Sequence, residues 1–186
     1  MKSPRWCGAL LLTTLLAACA SLPKSGDCVD FGGGGGLCLL PPSALPAVEA
    51  AHLVQFDHAD QHESFIGHLH IDAASQRLAA LSLFGSHLFT IAWDGHAVGG
   101  TNADAKLRPA LLVAMLQLAV ADPERLRTHL HGFTLTEQSQ AGYSLRELSR
   151  HGRLAVRIER HGATLATATL DISVPRAKLE LHLKPL

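Results

Sequence analysis

From Ser64 to Asp72 apolar and polar residues alternate, with Phe65, Gly67, Leu69 and Ile71 on one side and His68, His70 and Asp72 on the other. A period of two is that of a strand with one buried face. The same reading gives strands at Ala51–Phe56, Leu78–Phe84, His87–Trp93 and Ala97–Gly99, with Gly85-Ser86 as a two-residue hairpin turn joining Leu78–Phe84 to His87–Trp93. The pattern changes after Asp104. Pro109 suits the first turn of a helix, and Leu111, Leu112, Met115, Leu116, Leu118 and Ala119 recur at three- and four-residue spacing up to Ala121. This stretch carries no charged residue, so its helix is buried on most sides or covers an apolar opening. Asp122-Pro123 ends it and caps a short second helix, Glu124–His129. Strands then return at Phe133–Gln138, Tyr143–Arg150, Leu154–Arg160, Thr164–Ser173 and Leu179–Leu183, punctuated by Gly142, Gly152 and Gly162.

Strands, an apolar helix and more strands predict a mainly β, α+β domain: a curved antiparallel sheet, or incomplete β-barrel, with the helix inserted on its concave face. A helix that fills this face makes an ordinary core. One that covers it loosely leaves an apolar cavity for an acyl chain. The candidate lining residues are Phe65, Leu69, Phe89, Ile91, Met115, Leu118, Val156, Ile158 and Leu170, each of which also reads as core packing.

The N-terminus adds an address. Lys2 and Arg5 precede an apolar run, Ala9 to Leu16, that closes on Leu16-Ala17-Ala18-Cys19. The run is too short to span a bilayer, and its small-residue end is a peptidase site. It resembles the signal of bacterial lipoproteins, which implies removal of residues 1–18 and acylation of Cys19 as lipid attachment site. Ala20, where sorted lipoproteins retained in the inner membrane carry aspartate, points to the outer membrane and its periplasmic face. Residues 19–46, rich in Gly, Pro and Ser without a period, read as a lipidated flexible tether, and residues 47–186 as the periplasmic domain. With Cys7 removed and Cys19 acylated, Cys28 and Cys38 remain as an even pair, open either to a disulfide in an oxidising compartment or to two free thiols.

The charges balance, sixteen of each sign, so no basic field attracts nucleic acid. Gly32 to Gly36 lack the Lys-Ser or Lys-Thr and the flanking strand of a phosphate loop. Among the twelve histidines, His58, His62, His68 and His70 with Glu63 make a three-ligand metal site conceivable, but no recognised ligand spacing is present, and solvated polar positions are the plainer reading. Gly85-Ser86-His87 is not a nucleophile elbow, and Cys19, once acylated, is not available as a nucleophile. The reading is of a protein that is not an enzyme and has no cofactor.

Together, the signal, the hairpin from Leu78 through Gly85-Ser86 to Phe89 and Asp94-Gly95, the helical segment Leu111–Ala119 and the run Tyr143–Leu148 resemble an uncharacterised family of bacterial outer-membrane lipoproteins associated with aryl polyene biosynthesis clusters. The fold of that family looks like the LolA/LolB lipoprotein-carrier barrel, which makes residues 47–186 a LolB-like domain. The resemblance implies binding of an acyl or polyene-type lipid, or of lipoprotein acyl chains, in an apolar cavity for transfer to the outer membrane, with a periplasmic carrier protein as partner. It supplies no catalytic residue. The alternative is a structural or adaptor lipoprotein with a packed core that docks a protein partner.

Overall fold

A computed structural model describes residues 28–32, 34–58, 61–102 and 108–186. The signal, Cys19 and the chain up to Asp27 lie outside the described residues. In chain order the elements are β1 (Cys28–Asp30), β2 (Gly36–Cys38), β3 (Val48–His58), β4 (Gln61–Ile71), β5 (Gln76–Leu81), β6 (His87–Trp93), β7 (Val98–Thr101), α1 (Pro109–Val120), α2 (Pro123–His129), β8 (Leu130–His131), β9 (Thr134–Gln140), β10 (Tyr143–Arg150), β11 (Arg153–His161), β12 (Thr169–Val174) and β13 (Leu179–Pro185).

Ten strands form one antiparallel sheet in the order β7-β6-β5-β4-β3-β13-β12-β11-β10-β9. The chain leaves this sheet after β7 for the two helices and returns at the opposite edge. The first and last long strands then meet in the middle, with Leu181 opposite Phe56 and Leu183 opposite Val54. The edges β7 and β9 do not pair, so the sheet is open. Its apolar positions fall on one face, as the alternating burial of β4, β10, β12 and β13 shows. Laid flat, ten strands would span roughly 43 Å at the usual strand spacing, against a helix about 10–12 Å across. One helix therefore covers that face only if the sheet curls around it, as strand twist favours. α1 packs beside β1, β6 and β7, and α2 beside β2 and β9, so the helices lie between the two open edges.

The small sheet β1-β2-β8 completes the cover. Here the structure corrects the tether expectation for its described part. Residues 28–46 are not a flexible spacer: Val29, Phe31, Leu37, Leu39, Leu40 and Leu45 are buried in the common core. Cys28 and Cys38, paired across β1 and β2, form a disulfide. The glycines allow close packing as well as bending. A Cβ at Gly36 would sit 2.1 Å from the Val29 carbonyl oxygen, so only glycine lets β2 lie this close to β1.

Other boundaries move. The β5–β6 hairpin is not a two-residue Gly85-Ser86 turn: β5 stops at Leu81, and Ser82 to Ser86 form a five-residue connection closed by Ser82 N–H to Ser86 O at 2.7 Å. Leu83 and Phe84, read as strand, stand out from its tip. Thr164–Ser173 is not one strand either, because a 3-10 turn at Leu165–Thr167 precedes β12. The His151-Gly152 turn does take the two-residue form, with φ of 49° and 73°.

The meander fixes which connections share an end. The β3–β4, β5–β6, β10–β11 and β12–β13 connections and the start of α1 lie at one end, called the tip end below. The β4–β5, β6–β7, β9–β10 and β11–β12 connections lie at the other.

Candidate functional site

Within Pro109–Val120 the one polar side chain is Gln117, and it is fully buried. A buried amide needs partners, and this one has them. Gln117 Nε2 donates to the Leu40 carbonyl at 3.1 Å and to Gln76 Oε1 at 3.0 Å, while Leu40 N–H donates to Gln117 Oε1 at 2.8 Å. Trp93 Nε1–H donates to the same Leu40 carbonyl at 2.7 Å, and Gln76 Nε2 to the Val113 carbonyl at 3.3 Å. These bonds fix one side of α1 to the 39–40 segment, β5 and β6.

Arg146 fixes its C-terminus. Nη1 donates to the carbonyls of Leu118 and Ala121 at 2.8 and 2.7 Å, satisfying acceptors that a helix end leaves open. Burial pushes the Arg146 pKa down, and Glu137, with Oε1 3.3 Å from Nη2, works against that shift. The next residues pass straight into α2, where Asp122 Oδ1 accepts from the N–H groups of Glu124 and Arg125.

The remaining side of α1 meets the sheet without hydrogen bonds. Leu112, Met115 and Leu116 face Val54, Phe56, Phe65, Leu78, Phe89, Ile172, Leu181 and Leu183 of the sheet around a crevice with no polar lining. Cross-strand register aligns these side chains: Phe65 opposite Val54, Val54 opposite Leu183, and Phe56 opposite Leu181, itself opposite Ile172. Phe65 and Phe89 pack edge to face with centroids 5.7 Å apart. Gly67 lies behind them, and a Cβ there would meet Val54 Cγ2 at 3.0 Å. The crevice measures about 40 Å³. A water molecule needs roughly 10–15 Å³ by such a measure, so the space holds a few atoms and not the length of an acyl chain.

Of the residues expected to line a cavity, Phe65, Phe89 and Met115 do so. Leu69, Ile91, Leu118, Val156, Ile158 and Leu170 are buried in the core but do not line the crevice. The correction has a simple cause: facing the concave side is not enough, because most of that side is filled by α1 and the 29–45 segment. Val54, Phe56, Leu78, Leu112, Leu116, Ile172, Leu181 and Leu183 were missed as lining although their periodicity places them on the inner face. Gln117 was missed too, and its signal was a lone amide in an uncharged helix.

The outer face of the sheet is polar. Arg157 links Glu147 and Glu159, which hold its pKa above the ordinary arginine value, with the Glu159 hydrogen bond the larger effect. His182 pairs with Asp171, His62 with Asp57 and His70 with Asp72, so His62 and His70 are engaged separately. Among the described residues, His58, His62, His68 and His70 are not gathered into a group able to hold a metal; the group with suitable atoms within 4.8 Å of one another is Cys28, Cys38 and His131. The two sulfurs of that group are joined to each other. One histidine is internal. His52 donates through Nε2 to the Ala168 carbonyl at 3.2 Å, and burial lowers its pKa.

The match to a family model covers residues 49–186, the whole large sheet and both helices save the first residue of β3. The chain belongs to the DUF3261 family. That family is described as a protein of unknown function. Every residue lining the crevice lies inside the DUF3261 match, whereas β1, β2 and the Cys28–Cys38 bridge precede it. Among curated proteins, none matches the chain. Among the described residues, no helix is long and apolar enough to cross a membrane.

Proposed function

We propose that this DUF3261 protein is an outer-membrane lipoprotein, anchored through Cys19 and facing the periplasm, that takes one acyl or polyene-type chain between α1 and the sheet and passes it to the outer membrane. The lipoprotein-like signal supports the anchor, and an open antiparallel sheet with an inserted apolar helix agrees with a LolA/LolB-like carrier. The observation that carries the reading is the wholly apolar crevice under Leu112, Met115 and Leu116. In its present form it is closed. Opening it requires these three side chains to turn aside, and Met115 is the most adaptable of them. The hydrogen bonds of Gln117 and Arg146 are on other sides of α1 and stay intact during such a change.

An exposed apolar element belongs to the same picture. Phe84 is 97% exposed and Leu83 56%, at the tip of the β5–β6 hairpin. Placing a phenylalanine in water costs free energy that a membrane surface would recover, on the order of 1.5–3 kcal/mol for full burial. The second reading, an adaptor lipoprotein with a packed core, draws on the small volume of the crevice.

Native mass spectrometry of the chain begun at Ala20 separates them. Starting later than Cys28 would remove core residues, so the bridged segment must be kept. A co-purified lipid mass, lost with Leu116→Trp, is the carrier outcome. Bare protein in every preparation favours the adaptor.

A further inference from the structure

One side of the tip end, made by the β10–β11 and β12–β13 connections and the start of α1, gathers positive charge. Arg150 and Arg153 face each other as the last pair of the β10–β11 ladder, Arg176 lies in the β12–β13 connection, and Arg108 precedes α1. The connections at the opposite end carry instead Asp72 and Asp94, whose turn N–H groups hold both carboxyls below the ordinary aspartate range. A hollow of about 430 Å³ opens between Arg150, His151, Arg153 and Arg176. Its floor is apolar, made by Phe133, Leu154 and Ala155. A neighbouring hollow shares Gly32 and Arg176 and adds Arg108 and an acid, Asp30, whose Oδ1 accepts from Gly32 N–H; Asp57 and Glu180 lie at the same end beside Lys178, outside both hollows. Among the described residues, neither Arg153 nor Arg176 has a carboxylate partner. Arg150 lies at the back, its Nη1 3.3 Å from where a Cβ at Gly34 would stand, so glycine there leaves the guanidinium its place.

Cations around an apolar floor suit an anion that carries hydrocarbon with it. A guanidinium matches a phosphate in two-pronged fashion and is more weakly hydrated than an ammonium, so it gives up water at lower cost. The volume lies within the usual range of ligand sites, roughly 300–1,000 Å³. We propose that this hollow binds the phosphate headgroup of a single anionic glycerophospholipid, with Arg153 and Arg176 on the phosphate oxygens and the first methylenes against Phe133 and Leu154. The site is separate from the crevice under Met115 and does not depend on that crevice being loaded. It opens at the end that carries Phe84, so a protein resting with this end on a membrane presents both to the lipid.

The test uses the full chain with Cys19→Ser, which removes the expected acylation, and calorimetric titration with soluble short-chain lipids. Dihexanoylphosphatidylglycerol is expected to bind at least tenfold more tightly than dihexanoylphosphatidylcholine and than inorganic phosphate. Arg153→Gln with Arg176→Gln should weaken it at least tenfold, while Arg77→Gln with Lys184→Gln, equal charge removed at the opposite end, leaves it unchanged. Equal affinity for the two lipids, or a double Arg153/Arg176 variant that binds as before, overturns the proposal. Inorganic phosphate binding as tightly as the lipid also overturns it, in favour of a free-phosphate site. Uptake of the neutral probe diphenylhexatriene reads the crevice alone, so the two sites can fail independently.

Discussion

Leu40 and Gln117, 77 residues apart, hold each other through two buried hydrogen bonds, the backbone of one satisfied by the amide of the other. This pair joins the N-terminal segment to the central helix and gives α1 two unlike sides. The side toward Leu40, Gln76 and Trp93 is fixed by directional bonds. The side toward Phe56 and Phe65 is held by apolar contact, which tolerates rearrangement.

Gln117→Leu, a change that raises apolarity in an apolar helix, is expected to destabilise. It leaves the Leu40 N–H and the Gln76 amide oxygen buried without that partner, at about 1–3 kcal/mol for each group left unsatisfied. Urea unfolding should show a loss of about 2–6 kcal/mol, by the same reckoning. A variant as stable as the parent would mean that water or a shifted helix replaces the pair.

Reducing the Cys28–Cys38 bridge should weaken the whole fold. The loop it closes spans a sequence separation of 10 and carries Val29, Phe31 and Leu37 into the core. Loop-closure entropy for a ring of that size is about 2–3 kcal/mol. Thermal melts with and without a dithiol reductant measure the difference, and identical melts would place β1 outside the cooperative unit.

His52 sets a dependence on pH. Its folded pKa lies below the ordinary histidine value because burial disfavours the charged ring, so the unfolded chain binds the proton more readily. Stability is therefore full above the unfolded value, about 6.5, and falls as pH drops from there toward the depressed folded pKa. His52→Gln, which keeps a donor for the Ala168 carbonyl, should flatten this part of the curve in chemical denaturation at stepped pH. An unchanged slope would assign the dependence to other groups.

Alternation in the sequence located most strands of the large sheet and the spacing after Pro109 located α1, because each needs only its own neighbours to reveal a buried face. The short strands β1 and β2 were read as tether. Glycines dilute the apolar signal there, and Val29, Phe31 and Leu37 become core only through contact with residues distant in the chain. The crevice was legible in part for the same reason. Phe65, Phe89 and Met115 point inward as their periods require, but whether Leu69 or Ile158 borders space or another side chain depends on how far the sheet curls around α1. Sequence periodicity does not encode that distance. The hairpin tip was obscured by its own apolarity: Leu83 and Phe84 extend the pattern of β5, and only the Ser82–Ser86 closure takes them out of the sheet.

The central claim is that the contact between α1 and the sheet opens for an apolar chain, and fluorescence titration with diphenylhexatriene tests it most directly. The expected result is saturable uptake at one site per protein, increased by Met115→Ala, which enlarges the crevice, and abolished by Leu116→Trp in a protein that remains folded. Absence of saturable uptake in both the parent and Met115→Ala, with each shown to be folded, would contradict it.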